Sequence, residues 1–308
     1  MDDIAAISQD TAGGEWSEPA PAKINLALHV GGRRADGYHA LETLVVFADL
    51  ADHVTVRRAD DASATTLDIV GPFANLVANT TAPTDNLVLR AAAALVGLSP
   101  GRPMPSLRIS LAKHIPVAAG LGGGSADAAA TLRLLNRIGS LALAPEQLSA
   151  IGLTLGADVP MCLASRPLVA RGIGEVITPV IGIPPLALVL ANPGIHVPTG
   201  AVFAALPQGE RAPLPPLPAR FVSVTDLVTW LLQTRNDLTE PARAAARVAV
   251  AAVEALGDDP ECLLARMSGS GATAFGIFAD SAAAERAAER LRATRPGWWV
   301  CGSTSAGS

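Results

Sequence analysis

Residues 117–129 read VAAGLGGGSADAA, with four glycines among the five positions 120–124 and a run of small residues directly behind them. Bare backbone of this kind can take φ > 0 without strain and can bring its N–H groups close to a ligand. The following segment predicts a helix through about Asn136, so the glycines lead into a helix N-terminus. Unpaired N–H groups and the helix dipole attract anions there. Any fold for this chain must therefore present an open loop in front of a helix whose first turn carries almost no side-chain bulk. Phosphate is the anion such a loop suits.

Two familiar phosphate loops do not match. A GxxxxGK[ST] loop needs a lysine after its glycines, and none is present. A dinucleotide fingerprint needs GxGxxG with an acidic residue about 20 positions on, whereas after Asp127 the next acid is Glu146. A plain glycine-rich connector is the competing reading. The small residues at 126 and 128–130, with Ser125 at the helix mouth, favour phosphate. Ser125 can offer its hydroxyl to a phosphate oxygen or to a bound magnesium ion. Asp127, in the first turn, suits the helix dipole on structural grounds alone.

The 308 residues allow two modest domains or one large one, and 50% hydrophobic with 17% charged residues describe a globular chain. A net charge of −5 argues against nucleic-acid partners, which need a basic face. It leaves room for a small phosphorylated ligand. Cys162, Cys262 and Cys301 are far apart with no CxxC pair, so neither a disulfide framework nor a zinc site is expected, and a reducing cytoplasm is the simplest location. No signal peptide is visible, and no apolar run nears the roughly 20 residues that cross a bilayer.

Along the chain, residues 1–15 read as a disordered tail. Strands are predicted at 22–30, 41–50, 54–57, 66–70, 107–111 and 186–191, with a further buried strand following a glycine turn in 267–279. Helices are predicted at 85–96 behind an Asp85 cap, at 145–155, as one continuous helix at 240–256, and at 281–293. Asn236-Asp237 reads as the cap of the 240–256 helix. Residues 207–218 form a proline-rich surface loop. Strands and helices mix without strict alternation, which favours an α+β fold in two lobes. Ile183-Pro184-Pro185 marks a boundary, giving domains at 16–182 and 183–308.

Four stretches carry a family resemblance: PVAAGLGGGSADAA, PAKINLALHVGGRRADGYHALET (21–43), LTLGADVPMCL (153–163) and SGSGATAF (268–275). Together they resemble the GHMP kinases, the family of galactokinase, homoserine kinase and mevalonate kinase, and within it the branch with a cytidyl diphosphate substrate. The resemblance runs in order from about residue 19 to about residue 280 and does not cover the tail or the 207–218 loop. It implies the two-lobed GHMP kinase fold, with an N-terminal lobe like ribosomal protein S5 domain 2 and an α+β C-terminal lobe. It implies ATP with Mg2+, the nucleotide held by Pro116, Val117, Ala118, Ala119, Gly120, Leu121, Gly122, Gly123, Gly124, Ser125 and Ala126.

The same resemblance assigns the chemistry. Lys23 is one of only two lysines among 23 basic residues, so a compact ammonium is singled out in a chain that otherwise uses arginine. A solvated strand lysine competes with the catalytic place that the family gives it. For the other, Lys113, added positive potential near the loop and a plain surface position are both open. Asp158, by default a turn aspartate between glycine and proline, matches the family's base, which takes the proton of the accepting hydroxyl. Lys23 beside it would keep the carboxylate ionised. Tyr38 and His39 match residues that hold the cytosine, with Asn25 at a substrate position and Phe203 as an aromatic cover. A core tyrosine and a strand-end amide are the competing readings for Tyr38 and Asn25. SGSGAT reads equally as a structural turn or a ligand contact.

The leading expectation is an ATP-dependent kinase acting on a hydroxyl of a cytidyl diphosphate substrate. Another small-alcohol kinase of the same family, like those for homoserine or mevalonate, is the first alternative, and a non-catalytic nucleotide-binding sensor is the second. Retention of both Lys23 and Asp158 argues against the sensor, and the failed fingerprint argues against a dehydrogenase.

Overall fold

A computed structural model describes residues 14–34, 37–59, 64–96, 98, 106–207, 209 and 211–308. Of the expected tail, residues 1–13 lie outside the described residues, Gly14 is a turn and Glu15 already opens a strand. The chain forms two compact units from interleaved segments. One comprises Met1–Ala22, Ala51–Val117 and Gly123–Ala164, and the other Lys23–Leu50, Ala118–Gly122 and Ser165–Ser308. Strands β1 (Glu15–Arg33) and β2 (His39–Arg58) contribute to both.

In the first unit, the end of β2 runs antiparallel to β4 (Leu107–Ala112), and β4 runs parallel to β3 (Thr66–Val70). Helix α1 (Ala74–Thr80) follows β3, and α2 (Leu87–Val96) follows a 3-10 turn at Pro83–Asp85. The cap of α2 is Asn86, whose Oδ1 accepts the Val88 N–H at 2.9 Å, and not the expected Asp85, which the preceding turn absorbs. Helix α3 (Gly123–Ile138) starts within the glycines and packs against α2, α4 (Pro145–Leu155) and α5 (Val159–Ala164). Residues 126–132 of α3 are buried without a break. Alanines there let neighbouring helices approach on all sides, as a helix sheathed in protein requires.

In the second unit, β2 pairs with β5 (Leu168–Gly172), which pairs with β6 (Val176–Pro179). The remaining strands are ordered β2, β10 (Trp299–Ser305), β7 (Leu186–Asn192), β9 (Ala274–Phe278) and β8 (Leu264–Met267). Every residue of β7 and β9 is buried, matching a sequence that is apolar except for Asn192, whose Nδ2 donates to the Thr273 hydroxyl at 2.8 Å. Helix α10 (Ser281–Thr294), capped by Asp280, lays Ala283, Ala284, Ala287, Ala288 and Leu291 against Ala187, Val189 and Ala191 of β7. A second apolar cluster joins Leu28 and Val30 of β1 to Val202 of α6 (Thr199–Ala204) and to Leu238 and Ala242. Helix α7 (Val224–Leu231) is capped by Ser223.

Two expectations are corrected. The strands at 41–50 and 54–57 are one 20-residue strand. It runs through Asp49 and Asp52 because both carboxylates find N–H partners: Asp49 takes Thr304 N–H at 2.9 Å and Asp52 takes His114 N–H at 2.6 Å. The single helix at 240–256 is instead α8 (Thr239–Ala245), an extended Ala246, a 3-10 turn (Arg247–Val250) and α9 (Ala251–Gly257). Ala242, Ala249 and Val250 serve one apolar cluster while Ala252 and Leu256 serve the other. The bend redirects the apolar face, and packing overrides alanine's helix propensity.

Candidate active site

The middle of the glycine loop, Ala118–Gly122, belongs to the second unit, where it meets the turn before β9. Thr273 N–H donates to Ala119 O at 3.2 Å, and the Ser268 hydroxyl donates to Gly120 O at 2.9 Å. Gly120 has φ +77°, and a Cβ on it would stand 2.5 Å from Ser268 O and 2.9 Å from Gly271 O. No side chain fits there, so the two glycine motifs are packed backbone to backbone. Asn236 anchors the same turn: its Nδ2 donates to Met267 O and Gly269 O, both at 2.8 Å. Its Oδ1 also takes Leu238 N–H at 2.9 Å, so the residue expected as a helix cap is chiefly an anchor for SGSG.

Lys23 is buried on β1, and its N–H donates to Leu121 O at 2.8 Å. Its stem runs under Gly122, where a Cβ would lie 3.1 Å from Lys23 Cε and 3.3 Å from its Cβ. Lys23 Nζ donates to Asn25 Oδ1 at 3.3 Å, Asn25 Nδ2 to the Thr43 hydroxyl at 2.8 Å, and that hydroxyl to Ala27 O at 2.6 Å. Asn25 N–H donates to Ser268 Oγ at 3.2 Å. The ammonium and the amide are therefore held by a directional chain that reaches the glycine loop through Ser268. Thr43 carried no signal in the sequence. Its place follows only from the pairing of β1 with β2.

Tyr38 is 61% exposed, so the core-tyrosine reading falls. Its loop is tied by Arg34 N–H to Tyr38 O at 2.7 Å and by Arg33 Nε to Gly37 O at 3.2 Å, with Gly37 at φ +87°. His39 and Phe203, distant in sequence, face each other with ring centroids 5.8 Å apart. His39 Nδ1 is buried without a hydrogen-bond partner among the described residues. Thr199, at the start of α6, meets Ser270 through their hydroxyls at 2.8 Å, so the helix that carries Phe203 is tied to the SGSG turn.

Asp158 lies in the first unit. It is half-buried at the turn between α4 and α5, and its carbonyl accepts Cys162 N–H at 3.1 Å. The buried Val159, Pro160, Met161 and Cys162 that follow fix that turn.

Around the roots of the glycine loop, the first unit holds a charge cluster that the sequence did not reveal. Lys113, 3% exposed, is no surface residue: its Nζ donates to Asp127 Oδ2 at 2.8 Å and to Asp52 Oδ2. Burial works to lower the Lys113 pKa, and the two carboxylates more than reverse it, leaving it raised. Burial pushes Asp127 up to about 7, with Lys113 opposing and Asp52 adding to the rise. Two buried carboxylates meet one cation here, and for Asp127 burial outweighs the pull of Lys113. Asp127 thus faces a lysine rather than serving only the helix dipole.

The GHMP kinases N terminal domain matches residues 86–166, and the GHMP kinases C terminal domain matches residues 226–297. A 4-diphosphocytidyl-2-C-methyl-D-erythritol kinase of Dinoroseobacter shibae is 50% identical over 281 residues, 91% of this chain and 92% of that protein. One from Cereibacter sphaeroides is 50% identical over 282 residues, 91% of this chain and 96% of that protein. The crystal structure of a 4-(cytidine 5'-diphospho)-2C-methyl-D-erythritol kinase superposes with a TM-score of 0.73 at 34% identity, covering 94% of this chain and 100% of the other. The glycine loop packed on the SGSG turn, the lysine beneath it and these matches along nearly the whole sequence agree: the chain belongs to the GHMP kinases and, within them, to the 4-diphosphocytidyl-2-C-methyl-D-erythritol kinases.

Proposed function

We propose that this ATP-dependent kinase transfers the γ-phosphoryl group of ATP to the 2-hydroxyl of 4-diphosphocytidyl-2-C-methyl-D-erythritol, a step of the non-mevalonate isoprenoid pathway. Residues 116–126 cradle the phosphates, those after Pro116 with their N–H groups. Asp158 takes the proton from the 2-hydroxyl, whose oxygen attacks the γ-phosphorus as ADP leaves. Lys23 supports that charge, and phosphoryl transfer asks for little more than in-line positioning and neutralisation. Tyr38, His39 and Phe203 hold the cytosine, and Asn25 orients the acceptor. The half-buried Ser125 hydroxyl at the mouth of α3 is an oxygen donor of the kind a hard cation takes, and it would help hold a magnesium ion that, when bound, would supply neutralisation of the triphosphate oxygens. The family matches at 86–166 and 226–297 fall on either side of 182/183, which we adopt as the boundary between the family's two domains in sequence, while the compact units interleave across it. Three free thiols fit a reducing cytoplasm.

The observation that carries the acceptor assignment is the exposed Tyr38, next in sequence to His39, whose ring faces Phe203, an arrangement a kinase for a bare small alcohol has no use for. The test is ADP release with ATP and magnesium against the cytidyl substrate, mevalonate, homoserine and galactose, repeated with Tyr38→Ala. Turnover is expected with the cytidyl substrate alone. Tyr38→Ala should raise its KM by about 5- to 150-fold, the worth of one stacked base, and leave the KM for ATP unchanged. Turnover only with another alcohol overturns the assignment, and a rise in the KM for ATP instead reverses the two nucleotide pockets.

A further inference from the structure

The Lys113 cluster joins β2, the residue after β4 and the start of α3 in the first unit. Asp52, fully buried on β2, accepts His114 N–H at 2.6 Å and Ile115 N–H at 2.8 Å with Oδ1, and its other oxygen takes Lys113 Nζ. Lys113 passes the tie to Asp127, just past the first turn of α3. The strand entering the glycine loop and the helix leaving it are thus fastened to one ammonium. Gly123, the first residue of α3, rests on that ammonium. A Cβ there would lie 3.3 Å from Lys113 Nζ, 3.2 Å from Ile115 Cγ2 and 3.5 Å from Asp52 Oδ2.

Such a cluster is a poor stability device. Dehydrating three charges costs free energy that pairing only partly returns, and an apolar replacement of the same volume is often as stable or more so. Here two carboxylates share one cation, and Asp127 Oδ1 has no partner among the described residues. What the cluster does supply is direction: three charged groups fix how the roots of a loop of small residues leave the sheet and enter the helix. Glycines and alanines have no side chains to impose that geometry on themselves. We infer that Asp52, Lys113 and Asp127 are positioning residues for the nucleotide, setting the angle at which the start of α3 presents its N–H groups to the triphosphate. This inference rests on the reading that residues 116–126 bind ATP.

The test uses Asp127→Asn and, because a half-broken cluster can unfold, the paired replacement Lys113→Met with Asp127→Leu in an Asp52→Asn background, which removes all three charges at similar volume and leaves an amide oxygen for the His114 and Ile115 N–H groups. In both, the KM for ATP should rise on the order of 10- to 100-fold, the cost of misplacing a binding array by about an ångström. The KM for the cytidyl substrate should stay within a factor of two. Direct titration of each unliganded variant with ATP should show the same loss. The paired variant should melt no lower than the unaltered protein. Gly122→Val serves as the control on the loop itself. Wild-type ATP affinity in the folded paired variant, with Gly122→Val impaired, overturns the inference alone, as does an Asp127→Asn that melts lower with ATP affinity intact. Wild-type ATP affinity in Gly122→Val overturns the reading beneath it.

Discussion

At the scale of single residues, the informative signals were scarcity and chemical mismatch. Lys23 stood out in an arginine-rich chain, and Asp158 stood out only through the family's GADVP stretch. In isolation each has a bland explanation. What the sequence could not convey is how such residues are held. The chain from Lys23 through Asn25 and Thr43 to Ala27 O depends on a strand pairing that no local pattern displays. Lys113 was unreadable for the same reason: its carboxylate partners lie 61 and 14 positions away. For Asp158 the consequence is specific. Asp158→Asn should lower kcat on the order of 10²- to 10⁴-fold, the usual worth of a general base, with ATP affinity nearly intact. Lys23→Ala should also lower kcat, and under the proposed roles, in which both residues serve one proton transfer, the double variant should lose less than the product of the two. Steady-state kinetics on the four proteins decide this, and a near-normal kcat in Asp158→Asn returns it to a turn residue.

At the scale of elements, those whose burial matches their sequence were the most legible. β7 and β9 are buried throughout and apolar but for Asn192 at the end of β7, and α10 carries its apolar stripe at helical spacing. Elements decided by a neighbour were not. The bend at Ala246 serves two separate cores. The glycine loop shows the same division within five residues. Gly120 has φ +77° and is walled in by Ser268 and Gly271, while Gly124 meets only Leu87 Cδ1 at 3.7 Å. Gly120→Ala should therefore lower the melting temperature, since αL alanine alone costs about 1–2 kcal/mol, and weaken ATP binding as well. Gly124→Ala should be neutral or slightly stabilising for the fold. Thermal melts of the two variants check this, and equal melting temperatures would show the SGSG contact to be loose.

The proline-rich segment makes a further case. Part of it, expected as a surface loop, is also tied to the neighbouring strands. His29 Nδ1–H donates to Ala212 O at 3.0 Å, its Nε2 accepts Arg235 N–H at 3.1 Å, and Leu214 N–H meets Glu42 Oε2 at 2.8 Å. Both ring nitrogens are used by the neutral tautomer. Burial, with the Arg235 charge adding to it, lowers the His29 pKa below its usual 6.5, against the opposing pull of the Ala212 carbonyl and Asp237. As pH falls below 6.5 the unfolded chain binds a proton that the native state refuses, so stability is complete above that value and declines beneath it. Melting temperatures from pH 8 to pH 5 should fall on the acid side, and His29→Gln should flatten that fall. An unchanged slope in the variant would assign the pH dependence to other groups.

At the scale of the whole molecule, the family was legible from four short motifs, whereas the assembly of the chain into its units was not. Local patterns read contiguous stretches, and here each unit is assembled from three separate ones. The C-terminus shows this most clearly, because the sequence reading ended at the 281–293 helix and assigned nothing to residues 299–305. Those residues form β10, which lies between β2 and β7 in the strand order. All seven pair with β7, from Trp299 opposite Asn192 to Ser305 opposite Leu186. Beyond the strand, Ser308 N–H donates to Ile183 O at 3.0 Å and Gly182 N–H to Ser308 O at 3.1 Å. Chain ends usually tolerate trimming because little backbone pairing is lost. Deleting residues 299–308 would instead strip one side of β7, whose residues are all buried. Buried N–H and C=O groups left unpaired cost about 1–3 kcal/mol each, so a few of them rival the roughly 5–15 kcal/mol by which a domain is stable. The truncated protein should therefore lose its cooperative melt and aggregate, while removal of residues 306–308 alone should only lower the melting temperature. Circular dichroism melts of the two truncations make the comparison, and a 299–308 deletion that melts like the full chain would mean that β7 does not depend on β10.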